Sequence, residues 1–272
     1  MKEFFGFGGY TREAEGFLSW QHLTFVGSLL LIMVVLAVAL GNKNKFKDAK
    51  EKNKVLVWSA LLIDGVEVFK IVMLCLRSGS YESILYNLPL FLCSIQLIAI
   101  PLAAFTKGKL REAALDFVAI FGILGAVFGT IGAGQNYGTY PVLSLDNVAS
   151  GITHSISGFA SLYIMISKMA SLKRKNIGLT FAILGVFCAA AYIANVILDY
   201  NYMFLMAGDG TPYDIAYNLV GGSPVLYPLC VVALFVLYIG LFYYCISLFE
   251  KKKRKKTAQN EIQEPQKAEM NI

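Results

Sequence analysis

Seven stretches of this chain, residues 19–40, 55–76, 88–105, 113–132, 152–170, 177–199 and 225–249, approach the length and apolar character needed to cross a bilayer. A spanning helix takes about 20 such residues. Hydrocarbon offers no partner to a free backbone N–H or C=O, so spanning segments are helices or closed barrels. None of the seven alternates like a barrel strand. The expected fold is all-α, a polytopic membrane bundle of about seven transmembrane helices. Composition agrees: 57% of residues are hydrophobic and only 15% charged, where a soluble domain carries roughly a quarter charged.

Lysine and arginine divide unevenly between alternate loops. Segments 41–54, 106–112 and 168–176, with the tail from Lys251 to Lys267, hold twenty; the other side holds Lys2, Arg12 and Arg77. The richer side faces the cytoplasm. That puts the N-terminus outside and the C-terminus inside, in a multi-pass protein of the cell membrane. Three regions follow: an extracytoplasmic segment 1–18, a transmembrane domain 19–249 and a basic cytoplasmic tail 250–272. The tail has almost no apolar residues and reads as disordered, its basic start lying at anionic headgroups.

The net charge of +6 is topogenic, because the basic residues do not interleave with aromatics on a groove-like surface. Membrane lipids are the expected partners and nucleic acid is not. Glu3, Glu13 and Glu15, ahead of a long first apolar block, argue against a cleavable signal peptide. The five cysteines lie inside apolar stretches with no paired spacing, which argues against a disulfide scaffold and a zinc site. No cofactor and no metal is expected, and nothing in the sequence sets an oligomeric state.

Polar groups at membrane depth are costly, so their positions are informative. His22 lies about one turn inside the outer end of the first span, and His154 about one turn inside that of the fifth. Cys93 is about five residues into the third, with Gln96 a turn below. The sixth places Cys188, Tyr192, Asn195 and Asp199 on one face, at helical spacing. The second carries Asp64, Glu67 and Lys70 nearer the middle, where Glu67 and Lys70 can pair at i, i+3. Taken singly, a histidine near a helix end reaches for the interface and a membrane cysteine packs as a small residue. Together, these groups from separate spans share one depth, and a polar pocket in the outer half of the bilayer is expected. Gly122, Gly125, Gly129 and Gly132, on the fourth span, read as helix-contact residues.

The run Leu88–Pro89–Leu90–Phe91–Leu92–Cys93–Ser94–Ile95 resembles the LPL-x-x-C-x-I signature of the YwaF-like family of bacterial integral membrane proteins. The resemblance continues through His22, His154 and Asn201–Tyr202–Met203–Phe204–Leu205, and spans most of residues 17–249. Where that family often carries a GALQALL-type segment, this chain reads Gly125–Ala126–Val127–Phe128–Gly129; Ser223–Pro224 stands in place of a Trp-Pro pair. The family is similar to a eukaryotic multi-pass group assigned cysteine-dependent phospholipid acyl transfer. The resemblance implies Cys93 as nucleophile with His154 as its partner.

Two functions stay open from the residues. One is transfer or hydrolysis of lipid acyl groups by Cys93 with His154 or His22 as base, since an imidazole can activate a thiol. In it Gln96, Glu67, Asn195, Asp199, Asn201 and Tyr202 bind substrate. The other is a small-molecule or ion-coupled transporter using the intramembrane carboxylates, Asp64 and Glu67 with Asp199, and Asn195.

Overall fold

The computed structural model describes residues 2–170 and 172–269, with side chains described up to residue 248 apart from Arg174. Among these residues the chain is helical throughout, with no strand. Its helices in order are α1 (Lys2–Phe5), α2 (Trp20–Asn44), α3 (Ala49–Ser78), α4 (Glu82–Leu85), α5 (Gln96–Phe105) and α6 (Gly108–Thr130). There follow α7 (Gly134–Thr139), α8 (Leu145–Ile166), α9 (Ile177–Leu198), α10 (Asp214–Leu219) and α11 (Leu226–Glu269). Four of them, α2, α6, α9 and α11, are long and apolar enough to cross a membrane. The backbone of α11 stays helical through the segment that composition reads as a disordered tail. The side chains beyond 248, and residues 270–272, lie outside the described residues.

Helix ends fall where the local chemistry puts them. Ser19 accepts the His22 N–H at 3.2 Å, Asp48 accepts the Glu51 N–H at 2.7 Å and Ser144 accepts that of Asn147 at 3.3 Å. Each supplies an oxygen to an N–H that the helix leaves unpaired. Gly79 ends α3 in the left-handed conformation and returns its N–H to Cys75, a backbone shape that glycine adopts without penalty.

At the centre stand α6 and α8, the most extensively packed pair, with α2, α3, α5 and α9 around them. Small residues allow the close approach. A Cβ on Gly122 would lie 2.7 Å from the Ser157 carbonyl oxygen, and one on Gly158 would strike Ala126 and the Met33 sulfur. Ser161 Oγ donates to the Ala119 carbonyl across the same contact at 2.7 Å. Such small-residue seams let dispersion and hydrogen bonds join helices where lipid offers no hydrophobic drive. Large exposed apolar side chains sit on α2, α3, α9 and α11, and none on α8.

The expected third span, 88–105, is corrected. Its regular helix is only the ten residues of α5, and Cys93 lies on a turn before it. Pro89 disfavours helix at Leu88, and the Ser94 hydroxyl closes a local turn with the Phe91 N–H and carbonyl at 3.0 and 3.1 Å. Within α5, Pro101 removes one further helical donor. Irregular backbone at this depth survives only when protein or a water-lined cavity surrounds it.

At the bundle end bearing the basic loops, half-buried and buried side chains close the helix ends. Arg111 donates to Ala103 and Asn53, and Asn53 to the Ala104 carbonyl. Asp116, fully buried, accepts from Leu172 N, Asn176 Nδ2 and Tyr243 Oη at 3.0, 2.9 and 3.1 Å. It joins α6 to the turn between α8 and α9 and to α11.

Candidate functional site

Cys93 and His154 are seated on one face of α6. The Cys93 Cα and Cβ pass 3.5 and 3.4 Å from where a Cβ on Gly125 would stand. The far edge of the His154 ring takes the corresponding place over Gly129, with Cε1 and Nε2 both at 2.5 Å. The two seats are one helical turn apart, which sets them about 5–6 Å from each other. Both side chains are half-buried. Ser157 Oγ, on the same face of α8 as His154, donates to the Gly122 carbonyl at 3.4 Å.

Three further polar groups lie on α3 and α5, the elements that flank this pair. Glu67 and Lys70 meet as their spacing suggests, Oε1 to Nζ 2.6 Å, with side chains 12% and 15% exposed. Asp64 lies one turn before Glu67 on the same helix. Gln96 is wholly buried, and neither its amide nitrogen nor its oxygen has a hydrogen-bond partner among the described residues. Such a group costs about 1–3 kcal/mol until something pairs it.

The two histidines separate. His22 is fully buried, its Nδ1 accepts the Leu18 N–H at 3.1 Å, and its Nε2 lies 3.4 Å from the Thr130 carbonyl. An Nδ1 that accepts places the ring proton on Nε2, which then donates to Thr130. Its ring packs at a tilt on Tyr137 at 4.0 Å and Phe17 at 5.4 Å. His22 therefore clasps the start of α2 to the end of α6, with both nitrogens engaged. His154 makes no hydrogen bond among the described residues.

The residues after α9 hold the Cys93 turn from behind. Asn195 accepts the Tyr202 N–H at 2.6 Å and donates to the Tyr202 carbonyl at 3.0 Å. Tyr202 donates its hydroxyl to the Leu85 carbonyl. Phe91, two residues before Cys93, packs on Tyr202 at 5.2 Å and on Phe204 at 6.1 Å. Asn201 closes its own loop, bonding Ala207, Asp209 and Met206. Asn195, Asn201 and Tyr202 are thus engaged by the protein's own backbone.

Residues 17–256 match the TMEM164 family, a family of multi-pass membrane proteins. The chain belongs to that family. The matched region takes in every helix from α2 to α10, most of α11, and the Cys93, His154 and Gln96 cluster. No curated protein and no solved structure matches the chain. This TMEM164-family protein also has a cleft of about 420 Å³ beside the Cys93 turn, lined by Phe91, Gln135, Asp199, Asn201, Phe204 and Asp209 among others. Asp199 and Asn201 belong to that cleft, and Phe91 is shared between it and the turn.

Sequence reasoning overlooked the cluster that closes the same bundle end. Arg77 grips Asp146 with both Nη atoms, at 2.7 and 2.9 Å, and Tyr10 Oη donates to Asp146 at 2.6 Å. Burial works to raise the Asp146 pKa, but hydrogen bonds from Arg77 and Tyr10 and the guanidinium charge outweigh it and hold the carboxyl below its ordinary value. Burial and the Asp146 contact push Tyr10 up to about 12. Arg77, one of only three basic residues on the sparsely charged side, was the available signal.

Proposed function

We propose that this protein crosses the membrane seven times and transfers or hydrolyses acyl groups of membrane lipids through Cys93, with His154 as base. The observation that carries the reading is the shared seat on α6: a thiol and an unpaired imidazole one turn apart, inside the bundle, on glycines that leave room for them. The seven crossings count α3, α8 and the 88–105 segment with the four apolar helices. The twenty-to-three division of Lys and Arg then sets the Cys93 end outside. There the recess meets the depth of lipid esters in the outer leaflet.

The chemistry balances on these groups. His154 takes the Cys93 proton as the sulfur attacks an ester carbonyl carbon. A C–S bond forms, the ester C–O bond breaks, and His154 returns the proton to the departing lipid oxygen. A second lipid hydroxyl, or water, then attacks the thioester and the thiol is restored. The unpartnered Gln96 amide offers a donor to the carbonyl oxygen as negative charge develops there. Cleft residues Asp199 and Asn201 contact the substrate beyond the reacting ester.

Cys93→Ser tests this, with Cys75→Ser as control, in purified protein supplied with mixed phospholipid and lysophospholipid vesicles. Loss of the nucleophile costs several orders of magnitude in rate, and Cys75→Ser leaves the rate unchanged. Full acyl transfer by Cys93→Ser would exclude the covalent route. Ion-coupled transport is the competing reading, and the intramembrane Glu67–Lys70 pair favours it; a solute gradient abolished by Glu67→Gln and kept by Cys93→Ser would select it.

A further inference from the structure

α3 carries a nearly enclosed charge pair on a helix that flanks the Cys93 turn. α3 packs against both α5 and α8, the elements that bring Cys93 and His154. Its Glu67–Lys70 pair is nearly enclosed, at 12% and 15% exposure. Enclosing two charges is expensive, and an apolar pair of similar volume serves packing as well or better. The pair is also not isolated. Arg77 near the end of α3 grips Asp146 at the start of α8, and Tyr163 near the end of α8 donates to the Lys52 carbonyl near the start of α3, so the two packed helices run antiparallel. Seven residues back along α3 and eight on along α8, about 10–12 Å in each, bring Lys70 and His154 to the same level, with Glu67 paired to Lys70 beside them.

We propose that Lys70 is the positioning charge of the Cys93 centre and that Glu67 sets how much of that charge the thiol feels. The inference rests on Cys93 as the nucleophile. A cation beside a thiol favours the thiolate, the form that attacks. The same cation disfavours an imidazolium, so it keeps His154 neutral and ready to accept a proton, then helps drive that proton on to the leaving oxygen. Glu67, 2.6 Å from the ammonium, opposes the first effect because it favours the protonated thiol. In a recess with little water such charges act over several ångströms. The titratable and charged groups that the packed elements bring to this level are Glu67 and Lys70 from α3, with Asp64 a turn before them, and His154 from α8. From α6, Gly125 and Gly129 bring none, and Tyr200 and Tyr202 stand behind Phe91.

The test reads the thiol itself. In full-length protein with Cys75, Cys188, Cys230 and Cys245 replaced by Ala, the rate of Cys93 alkylation by N-ethylmaleimide is followed from neutral to alkaline pH. Lys70→Met moves the profile to higher pH and slows labelling at neutral pH on the order of tenfold, one pH unit's worth. Glu67→Gln moves it the opposite way, and the double variant returns toward the parent. Lys70→Arg keeps the charge and the parental profile, which separates electrostatics from misfolding. Shifts of Lys70→Met and Glu67→Gln in the same direction, or no shift, overturn the proposal. Opposite shifts together with full acyl transfer by Cys93→Ser would leave this coupling standing and remove the covalent reading instead.

Discussion

The His154 ring occupies the place where a side chain on Gly129 would stand, its Cε1 and Nε2 both 2.5 Å from that Cβ position. A single methyl there cannot coexist with the ring as placed, whereas on Gly125 it would meet Cys93 at 3.4 Å, a tight but tolerable contact. Gly129→Ala should therefore push His154 from its seat. Overpacking of this kind costs about 1–3 kcal/mol. The expected outcome is a folded protein whose acyl-transfer rate falls at least as far as with His154→Ala, with Gly125→Ala much milder. Equal rates for Gly129→Ala and the parent would contradict the seat.

His22 and His154 should fail in different ways. His22→Ala removes two backbone contacts and a ring held between Phe17 and Tyr137. Burying the freed groups should cost about 2–4 kcal/mol, within the range for losing a buried hydrogen-bonded ring. Thermal unfolding should show this as a clear drop in Tm, while the folded fraction keeps its Cys93 alkylation rate. His154→Ala, with no hydrogen bond to lose, should barely move Tm and should slow the alkylation.

What the sequence discloses about this fold follows from which faces meet lipid. Helices α2, α9 and α11 carry large exposed apolar side chains, and hydropathy finds them within a few residues. α8 carries none, because it is enclosed by its neighbours and needs no lipid-compatible surface. It is built of Ser, Thr, Gly and Asn instead, so hydropathy underrates it while the period of its small residues does not. The turn at Cys93 was legible in Pro89 and Pro101 but was read as helix because its neighbours are apolar. Gly125 and Gly129 were recognisable as contact residues; that they seat Cys93 and His154 depends on packing between segments far apart in the chain. The same holds for Arg77 and Asp146, 69 residues apart.

The Arg77–Asp146–Tyr10 cluster ties the N-terminal segment to α3 and α8, and it should loosen in acid. The Asp146 pKa is lower folded than unfolded. Its contribution is thus complete above the ordinary carboxylate value, about 3.9, and is lost as pH falls from there through the folded pKa. Asp146→Asn should destabilise the protein by about 1.5–3 kcal/mol at neutral pH, the range for hydrogen bonds to a charged group. It should also flatten the decline in stability below about pH 4. Proteolysis of the segment before Ser19 at neutral pH, faster in Asp146→Asn than in the parent, measures the release directly.

The crossing count turns on the segment between α3 and α6. α5 alone is ten residues, half of what a span needs. A re-entrant loop would then return to its starting side, leaving six crossings and both termini together. Against this, α3 ends at Ser78, but the Ala104 carbonyl at the end of α5 is bonded by Asn53, close to where α3 begins. The stretch from Gly79 to Phe105 thus travels back along most of α3, part as turn and part as helix. Reporters inserted after Ser80 and after Lys107 should lie on opposite sides, outside and cytoplasmic respectively. One fused after Lys256 should be cytoplasmic and one inserted after Gly138 outside. The same side for Ser80 and Lys107 would make α5 re-entrant and put Cys93 at the tip of a loop that dips into the membrane from one face.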